Sequence, residues 1–244
     1  MSKPIMTVVG FGPMGKRFTR LFSSDISVRV SSSRNVGEEV AEIGATIVAD
    51  RGHALASSDY IFLSVPLTAL PALIDEVNTC SKDDAVIIDC CSARVPAEQL
   101  LSRLNRRHFG MHDIKKDEYC ITGKINDEMT EFFHRCGICI NCMSPEEHDR
   151  INAVIGIGHF VGLSLGHFLS DDEKDILSGI GSGSKVMALV SHFVGNSPTT
   201  WRETQVDSQF TKERRAELIK AFIQYHDSLS NGEYPFGHGS EQIS

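Results

Sequence analysis

The feature that most constrains this chain is a glycine-rich turn that follows a short apolar run near the N-terminus. Gly10, Gly12 and Gly15 have the spacing G-x-G-x-x-G, directly before a helical pattern. In this context the spacing is typical of dinucleotide binding: the first glycine permits the tight turn, the second lets the backbone approach a pyrophosphate, and the third lets the helix pack on the sheet. The helix N–H groups then face the phosphates. The predicted cofactor-binding residues of this turn are Gly10, Phe11, Gly12, Pro13, Met14 and Gly15.

The end of the second predicted strand indicates which dinucleotide binds. An NAD site usually has Asp or Glu here, to bind the ribose hydroxyls. This chain instead has Ser32, Ser33 and Arg34, with no carboxylate. Hydroxyls and a guanidinium suit a 2′-phosphate, which a carboxylate would repel. We therefore predict NADP rather than NAD; the alternative is an ordinary polar turn with Arg34 lying over the adenine.

A third stretch is predicted to border the cofactor. An apolar strand that begins at Tyr60 runs into Ser64, Val65 and Pro66. Ligands of parallel sheets lie beyond the carboxyl ends of the strands. We therefore expect these three residues, and the loop after Asp89, to lie beside the nicotinamide half of the dinucleotide.

The order of apolar runs and helical patterns predicts an α/β fold, with a Rossmann-type doubly wound sheet followed by an all-helical domain. The predicted domains are a dinucleotide-binding domain at 1–143, a helical substrate and dimerisation domain at 144–230, and a flexible tail at 231–244. The predicted strands are Met6–Val9, Val28–Val30, Thr46–Val48, Tyr60–Ser64, Ala85–Asp89, His108–Met111, Glu118–Ile121 and Ile138–Asn141. Helices are predicted near Val36–Ile43, Leu67–Val77, Ala97–Leu104 and Asp127–Arg135, with later breaks at Gly179–Gly183 and Asn196–Pro198.

Composition narrows the class of protein. A net charge of −8 argues against a nucleic-acid or membrane-surface binder, and no apolar run is long enough to suggest a membrane span. The first strand begins almost at the N-terminus, which leaves no room for a secretory signal, so we expect a cytoplasmic protein. The spacing Cys136-x-x-Cys139 has no matching second pair, so we predict reduced thiols and no metal site.

The helix that follows Ser144 carries an unusual face. His148, Asn152, Gly156 and His159 fall at intervals of four, four and three residues, so they line one side of it. Several glycines on this helix indicate that another helix or a ligand comes close. Because no carboxylate or cysteine shares the face, hydrogen bonding to substrate or protein is favoured over metal binding.

The chain resembles the prephenate/arogenate dehydrogenase family over most of its length, to about residue 210. Four segments carry the resemblance in the expected order. They are the glycine turn, Asp89-Cys90-Cys91-Ser92-Ala93-Arg94, Gly110-Met111-His112, and Ser144-Pro145-Glu146-Glu147-His148-Asp149 followed by Gly158-His159.

The resemblance implies a reaction and roles for individual residues. The family oxidises a cyclohexadienol, passes hydride to nicotinamide and loses CO₂. His112 would take the hydroxyl proton, a role that suits a near-neutral imidazole. Ser92 would bind the same hydroxyl or orient the histidine, and His159 would help to hold a carboxylate-bearing substrate. His148 and Asp149 would tie the helix to the nucleotide domain. The family also implies a homodimer formed by the helical domain.

Departures from the family pattern leave the substrate open. The alignment places His192 where the family has a carboxylate-binding arginine, with Lys185 two turns earlier, and histidine does not replace a bidentate arginine. Arg94, Lys185 or Arg202 could hold the carboxylate instead. The substrate could equally be arogenate or an amino-substituted analogue of prephenate. Two other functions remain: an imine or pyrroline carboxylate type of reductase, and a non-catalytic NADP-binding regulator.

Overall fold

The structure is a computed structural model that describes residues 3–115, 118–195 and 198–233. The chain divides into two compact units, unit 1 (Met1–Asn152) and unit 2 (Ala153–Ser244). The division falls inside a helix, nine residues beyond the predicted boundary between residues 143 and 144, because the first two turns of that helix bind residues of unit 1.

An eight-stranded sheet with the order β3-β2-β1-β4-β5-β6-β7-β8 forms the centre of unit 1. The first six strands in this order are parallel, β7 is antiparallel to β6, and β8 is parallel to β7. The order 3-2-1-4-5-6 is that of the doubly wound dinucleotide fold. All eight predicted strands are confirmed. They are β1 (Ile5–Val9), β2 (Ser27–Ser31), β3 (Thr46–Ile47), β4 (Tyr60–Leu63), β5 (Val86–Asp89), β6 (Arg107–Lys115), β7 (Glu118–Gly123) and β8 (Cys139–Cys142).

Six helices of unit 1 flank the sheet, and two of them differ from the prediction. One begins at Arg94, three residues early, and one, beginning at Arg51, was not predicted. Asp50 caps this six-residue helix by accepting a hydrogen bond from the His53 N–H. The helices are α1 (Pro13–Phe22), α2 (Gly37–Glu42), α3 (Arg51–Ala56), α4 (Leu70–Cys80, after a 3₁₀ turn at Leu67–Ala69), α5 (Arg94–Leu101) and α6 (Asp127–Arg135).

The sheet is buried on both faces, which explains why its strands are continuous apolar runs in the sequence. Val8 belongs to the core on one face and Val9 to the core on the other. On the first face the rings of Phe18, Phe22 and Phe62 pack with centroids 4.9 to 5.7 Å apart. This packing fixes α1, and therefore the glycine turn before it, against the sheet.

Helices form the described part of unit 2. The predicted break near Gly179–Gly183 is confirmed, because one helix ends at Gly179 and the next begins at Gly181. The second predicted break includes Asn196 and Ser197, which lie outside the described residues. Residues 234–244 of the predicted tail also lie outside them. The helices are α7 (Pro145–Phe168, begun in unit 1), α8 (Asp171–Gly179), α9 (Gly181–Val194), α10 (Pro198–Arg202), a π-helical turn (Glu203–Asp207) and α11 (Gln209–Ser230).

Within unit 2 the glycines of α7 receive other helices rather than a ligand. A Cβ atom at Gly162 would lie 2.7 Å from the ring of Phe193 on α9. A Cβ atom at Gly156 would lie 2.7 Å from the methyl group of Thr211 on α11. The predicted close approach is therefore that of neighbouring helices.

Helix α7 corrects one expectation. Its 24 residues include an 18-residue window with a mean hydropathy of 1.4, so by length and composition it could cross a membrane. Only 28% of that window is buried within the structure. At the start of the helix, His148, Asp149 and Asn152 are buried and hydrogen-bonded to other residues of unit 1.

Candidate functional site

A cavity of about 350 Å³ lies at the carboxyl ends of β1, β2 and β4. Gly10 sits at its base with φ +95°, and a Cβ atom there would lie 2.1 Å from the Ser64 carbonyl oxygen, so only glycine fits. Most of the predicted cofactor residues line this cavity, while Met14 and Gly15 do not. The lining residues are Val9, Gly10, Phe11, Gly12, Pro13, Ser31, Ser32, Ser33, Arg34, Arg51, Ser64, Val65 and Pro66.

Two guanidinium groups border this cavity, and none of its lining residues is acidic. Arg34 donates to the Phe11 carbonyl oxygen. Arg51 begins α3 and pairs with Glu76 at 2.6 Å. The sequence did not point to Arg51 because α3 itself was not predicted. Its only signal was an arginine shortly after the third predicted strand.

His112 lies on β6, beyond the end of β5, whose last residue Asp89 pairs in register with Gly110. Its Nδ1 is 3.0 Å from Nε2 of His148, with the two rings nearly perpendicular at 88°. The side chain of His112 is 14% exposed. The imidazole is therefore mostly enclosed, but one edge can be reached from solvent.

The first two turns of α7 bind the loop that carries Ser92. Asp149 accepts hydrogen bonds from the N–H groups of Arg94 and Val95 at 2.8 and 2.9 Å. Asn152 donates to the Ser92 carbonyl oxygen at 3.1 Å. These bonds start α5 earlier than predicted, and they hold the Ser92 loop and His112 against the same helix.

Burial and the neighbouring His148 lower the pKa of His112 from its usual 6.5 to about 4. A charged imidazole is costly in an enclosed site, particularly beside a second imidazole. His112 is consequently neutral at physiological pH, so it can accept a proton.

The structure corrects the expectation that Arg94 binds a substrate. Its side chain is fully buried and forms an ion pair with Asp89. It also donates to Thr122 Oγ1 at 3.1 Å. Gly110 makes room for it, because a Cβ atom there would lie 1.6 Å from the guanidinium. The positive charge of Arg94 therefore pairs with Asp89 at the end of β5.

In unit 2, His159 is buried between aromatic rings, 4.4 Å from Phe193 and 5.9 Å from Trp201 by ring centroids. Its Nδ1 is buried with no hydrogen-bond partner among the described residues, and so is Nε1 of Trp201. Burial and the nearby His192 lower the pKa of His159. Trp201, the only tryptophan of the sequence, was not among the predicted site residues.

His192 and Lys185 both lie on α9 and are exposed. The ring of His192 packs edge-on against Phe193 at 4.8 Å, so Phe193 contacts both histidines of unit 2. Lys185 is two helical turns from His192, as the sequence predicted. Within the described residues, no group of three or more His, Cys, Asp or Glu side chains is placed to hold a metal ion.

Comparisons with known proteins agree with this architecture. Residues 5–93 match the family model described as "NADP oxidoreductase coenzyme F420-dependent". No curated protein matches the sequence. The structure is similar to prephenate dehydrogenase from Aquifex aeolicus in complex with hydroxyphenyl propionate and NAD⁺, with a TM-score of 0.77, 15% identity, and coverage of 95% of this chain and 92% of that one.

It is also similar to arogenate dehydrogenase from Synechocystis, with a TM-score of 0.64, 16% identity, and coverage of 95% of this chain and 94% of that one. The resemblance found in the sequence is thus confirmed at the level of the fold: a Rossmann-type sheet followed by helices. Identity this low establishes the fold alone, and the activity has to be argued from the site.

Proposed function

We propose that the protein is an NADP-dependent dehydrogenase that oxidatively decarboxylates a prephenate-like cyclohexadienyl acid. The observation that carries the proposal is the neutral, partly accessible imidazole of His112, beyond the carboxyl end of β5 in a sheet with a dinucleotide-type turn. A proton acceptor in this position suits the oxidation of a secondary alcohol. The named activities of the structural relatives support the same reaction class.

The cavity beside β1 and β2 fits a dinucleotide. A Cβ atom on Gly12 would meet no atom within 4 Å, which leaves its backbone open to a pyrophosphate. We propose that Ser32, Ser33, Arg34 and Arg51 bind the 2′-phosphate of NADP, because two guanidiniums and no carboxylate border the cavity. The bound nicotinamide supplies a hydride acceptor.

His112 acts as the general base in this proposal. The substrate carbinol carbon loses its hydrogen as hydride, and the hydroxyl proton passes to His112 Nε2, so that the carbon–oxygen bond becomes a carbonyl. The ring carboxylate then leaves as CO₂, and its bonding electrons pass through the ring to the carbonyl oxygen, which takes the proton back as the aromatic phenol forms. Ser92, whose carbonyl oxygen accepts a hydrogen bond from Asn152, is proposed to bind the substrate hydroxyl or to orient His112.

The groups that hold the substrate carboxylates are proposed from the resemblance and the fold of unit 2. Since Arg94 is buried, Lys185 and His192 are the remaining predicted cations on α9. His159 presents a buried Nδ1 with no protein partner among the described residues, as a substrate-binding group should. This set contains no bidentate arginine, so prephenate, arogenate and an amino-substituted analogue all remain candidate substrates.

The decisive experiment measures reduction of NADP⁺ and NAD⁺ with prephenate, arogenate and 4-amino-4-deoxyprephenate. We expect turnover with at least one of the three acids, and a higher kcat/KM with NADP⁺ than with NAD⁺. Tight NADP⁺ binding without turnover of any acid would contradict the proposal and favour a non-catalytic regulator. Reduction of cyclic imines by NADPH would instead favour the imine reductase alternative.

The cofactor assignment can be tested separately. Arg34→Ala and Arg51→Ala should each raise the Kd for NADP⁺ by about tenfold, the value of one charge-assisted hydrogen bond, and leave the Kd for NAD⁺ nearly unchanged. Arg103→Ala is the matched control, because Arg103 is similarly exposed and also pairs with a carboxylate. Equal losses for both cofactors would contradict recognition of the 2′-phosphate.

We also propose that the protein is a soluble, cytoplasmic homodimer formed through its helical unit. Large apolar side chains of that unit are exposed in the single chain, among them Val154, Phe168, Ile176 and Ile223, which are 57 to 81% exposed. Such a surface is typical of a protein interface. Light scattering at micromolar concentration should give twice the monomer mass of 26.9 kDa, and a monomer would contradict this proposal.

A further inference from the structure

A chain of hydrogen bonds leads from Asp149 through His148 to His112, and it determines where the protons of both imidazoles lie. The Asp149 carboxylate already accepts from the N–H groups of Arg94 and Val95. An ionised carboxylate can only accept hydrogen bonds. Because its Oδ1 lies 2.9 Å from Nδ1 of His148, that nitrogen must carry a proton.

The same reasoning continues to the next imidazole. A neutral His148 with its proton on Nδ1 has an unprotonated Nε2, which can only accept. This Nε2 lies 3.0 Å from Nδ1 of His112, so His112 donates from Nδ1. Nε2 of His112 consequently keeps the free electron pair that a general base requires.

We infer that His148, held by Asp149, is a positioning residue that fixes His112 in its Nδ1–H tautomer and directs the basic Nε2 toward the substrate hydroxyl. With Asp149 ionised and His148 uncharged, the hydrogen bonds determine the tautomer; its use in catalysis rests on the proposed function. His148 and Asp149 thus have a second role, in addition to binding the start of α7 to the Ser92 loop.

In this arrangement only one proton moves, from the substrate hydroxyl to Nε2 of His112. The O–H bond of the substrate breaks and an Nε2–H bond forms, while the Nδ1–H bond of His112 stays intact. No proton passes to Asp149. The His148 acceptor and the Asp149 charge behind it then stabilise the imidazolium through its Nδ1–H, as the third member of a catalytic triad does.

Other ionisable groups surround the imidazole of His112. On its own strand, Asp113 Oδ1 is 3.8 Å from Nε2 and pairs with Arg17 of α1 at 3.2 Å. Cys120 lies opposite on β7, and Arg94 lies on α5. Asp113 is more than a hydrogen-bond length from Nε2 and is itself paired, so it does not determine the tautomer.

Two variants of His148 separate the contacts of its two nitrogens. An asparagine reaches about as far as Nδ1, so His148→Asn can bind Asp149 but offers nothing to His112. A glutamine reaches about as far as Nε2, so the carbonyl oxygen of His148→Gln can still accept from His112 Nδ1–H. Both variants remove the imidazole, which makes them matched controls for each other.

The tautomer of His112 is read from imidazole ¹⁵N chemical shifts at neutral pH, with no substrate present. The wild type and His148→Gln should show a protonated Nδ1 and a bare Nε2. His148→Asn should shift His112 toward the Nε2–H form that free histidine prefers. A His112 that keeps the Nδ1–H form in His148→Asn overturns the inference.

Kinetics with whichever acid the wild type oxidises complete the test. His148→Asn should lose on the order of 10²-fold in kcat, with KM and the Kd for NADP⁺ changed less than about threefold, while His148→Gln should keep at least about a tenth of wild-type kcat. Equal kcat values for the two variants overturn the positioning role. If the wild type oxidises none of the acids, the proposed function fails alone, and the NMR result still decides the tautomer.

Discussion

The buried histidines His148 of unit 1 and His159 of unit 2 differ in their hydrogen bonding. In unit 1, both nitrogens of His148 are hydrogen-bonded and the carboxylate behind it is held by two backbone N–H groups. In unit 2, His159 is packed between aromatic rings and its Nδ1 has no partner among the described residues. The polar groups of unit 1 are therefore held in a fixed geometry, as the proposed catalytic role of His112 requires. In unit 2 the unpartnered Nδ1 of His159 costs stability, and it is the atom that we propose binds the substrate.

The largest expected effect tests the fixed geometry of unit 1. His112→Asn removes the proposed base, so kcat should fall by about 10³-fold, while the Kd for NADP⁺ stays within about twofold of wild type. Stopped-flow or steady-state measurement of NADPH formation checks this. Turnover near that of the wild type would remove His112 from the mechanism.

Next in size is the effect of breaking the buried ion pair of unit 1. Arg94→Leu leaves the fully buried Asp89 without its partner, which should lower the free energy of unfolding by about 3 to 5 kcal/mol. Denaturant titration measures the loss. The control is Arg103→Leu, which breaks an exposed pair with Asp75 and should cost less than about 1 kcal/mol. Equal losses would show that burial does not distinguish the two pairs.

A smaller effect is expected from acidification. Because the folded-state pKa of His112 is about 4 and its unfolded value is 6.5, the unfolded chain binds more protons between these pH values. The contribution of neutral His112 to folding stability is therefore complete above pH 6.5. As the pH falls toward 4, this contribution is lost and the free energy of unfolding falls by up to about 3 kcal/mol. Unfolding free energies measured across this window should decline less steeply for His112→Asn. Parallel declines in the two proteins would contradict this origin.

The smallest effect concerns unit 2. His159→Leu replaces a buried imidazole that lacks a partner, so the free energy of unfolding should stay constant or rise by about 1 kcal/mol. The same change should lower kcat/KM for the acid by about tenfold, since the proposed substrate contact is lost. Loss of both stability and activity would mean that His159 acts as a core residue, like the buried groups of unit 1.

Much of unit 1 could be predicted because its signals are local. The glycine spacing of Gly10 to Gly15 and the eight apolar runs each depend on neighbouring residues, and every strand forms where it was expected. Helix α3 was not predicted, and Arg51, its first residue, was therefore not expected beside the cavity. The start of α5 was misplaced because Asp149, more than 50 residues away, holds its first N–H groups.

Charge and residue type were poor guides to exposure. Arg94 was predicted to bind substrate because arginine suits a carboxylate, but the gap opposite Gly110 and the carboxylate of Asp89 bury it. Neither feature is visible as a pattern in the sequence, since each depends on how two parallel strands pair. Likewise, the spacing of His148 and His159 on one helical face could not show that they belong to different units.

The Rossmann-type sheet, the turn that suits a dinucleotide and the residue types at the end of β2 could all be predicted from local patterns, because backbone freedom and hydrophobic period depend on neighbouring residues. Which charged and titratable groups meet depends instead on the folded chain. It joined His112 to His148 and Asp149, and it removed Arg94 from solvent. The physical reason is that hydrogen bonds and burial depend on distances between segments far apart in the chain, and those distances exist only once the core has packed.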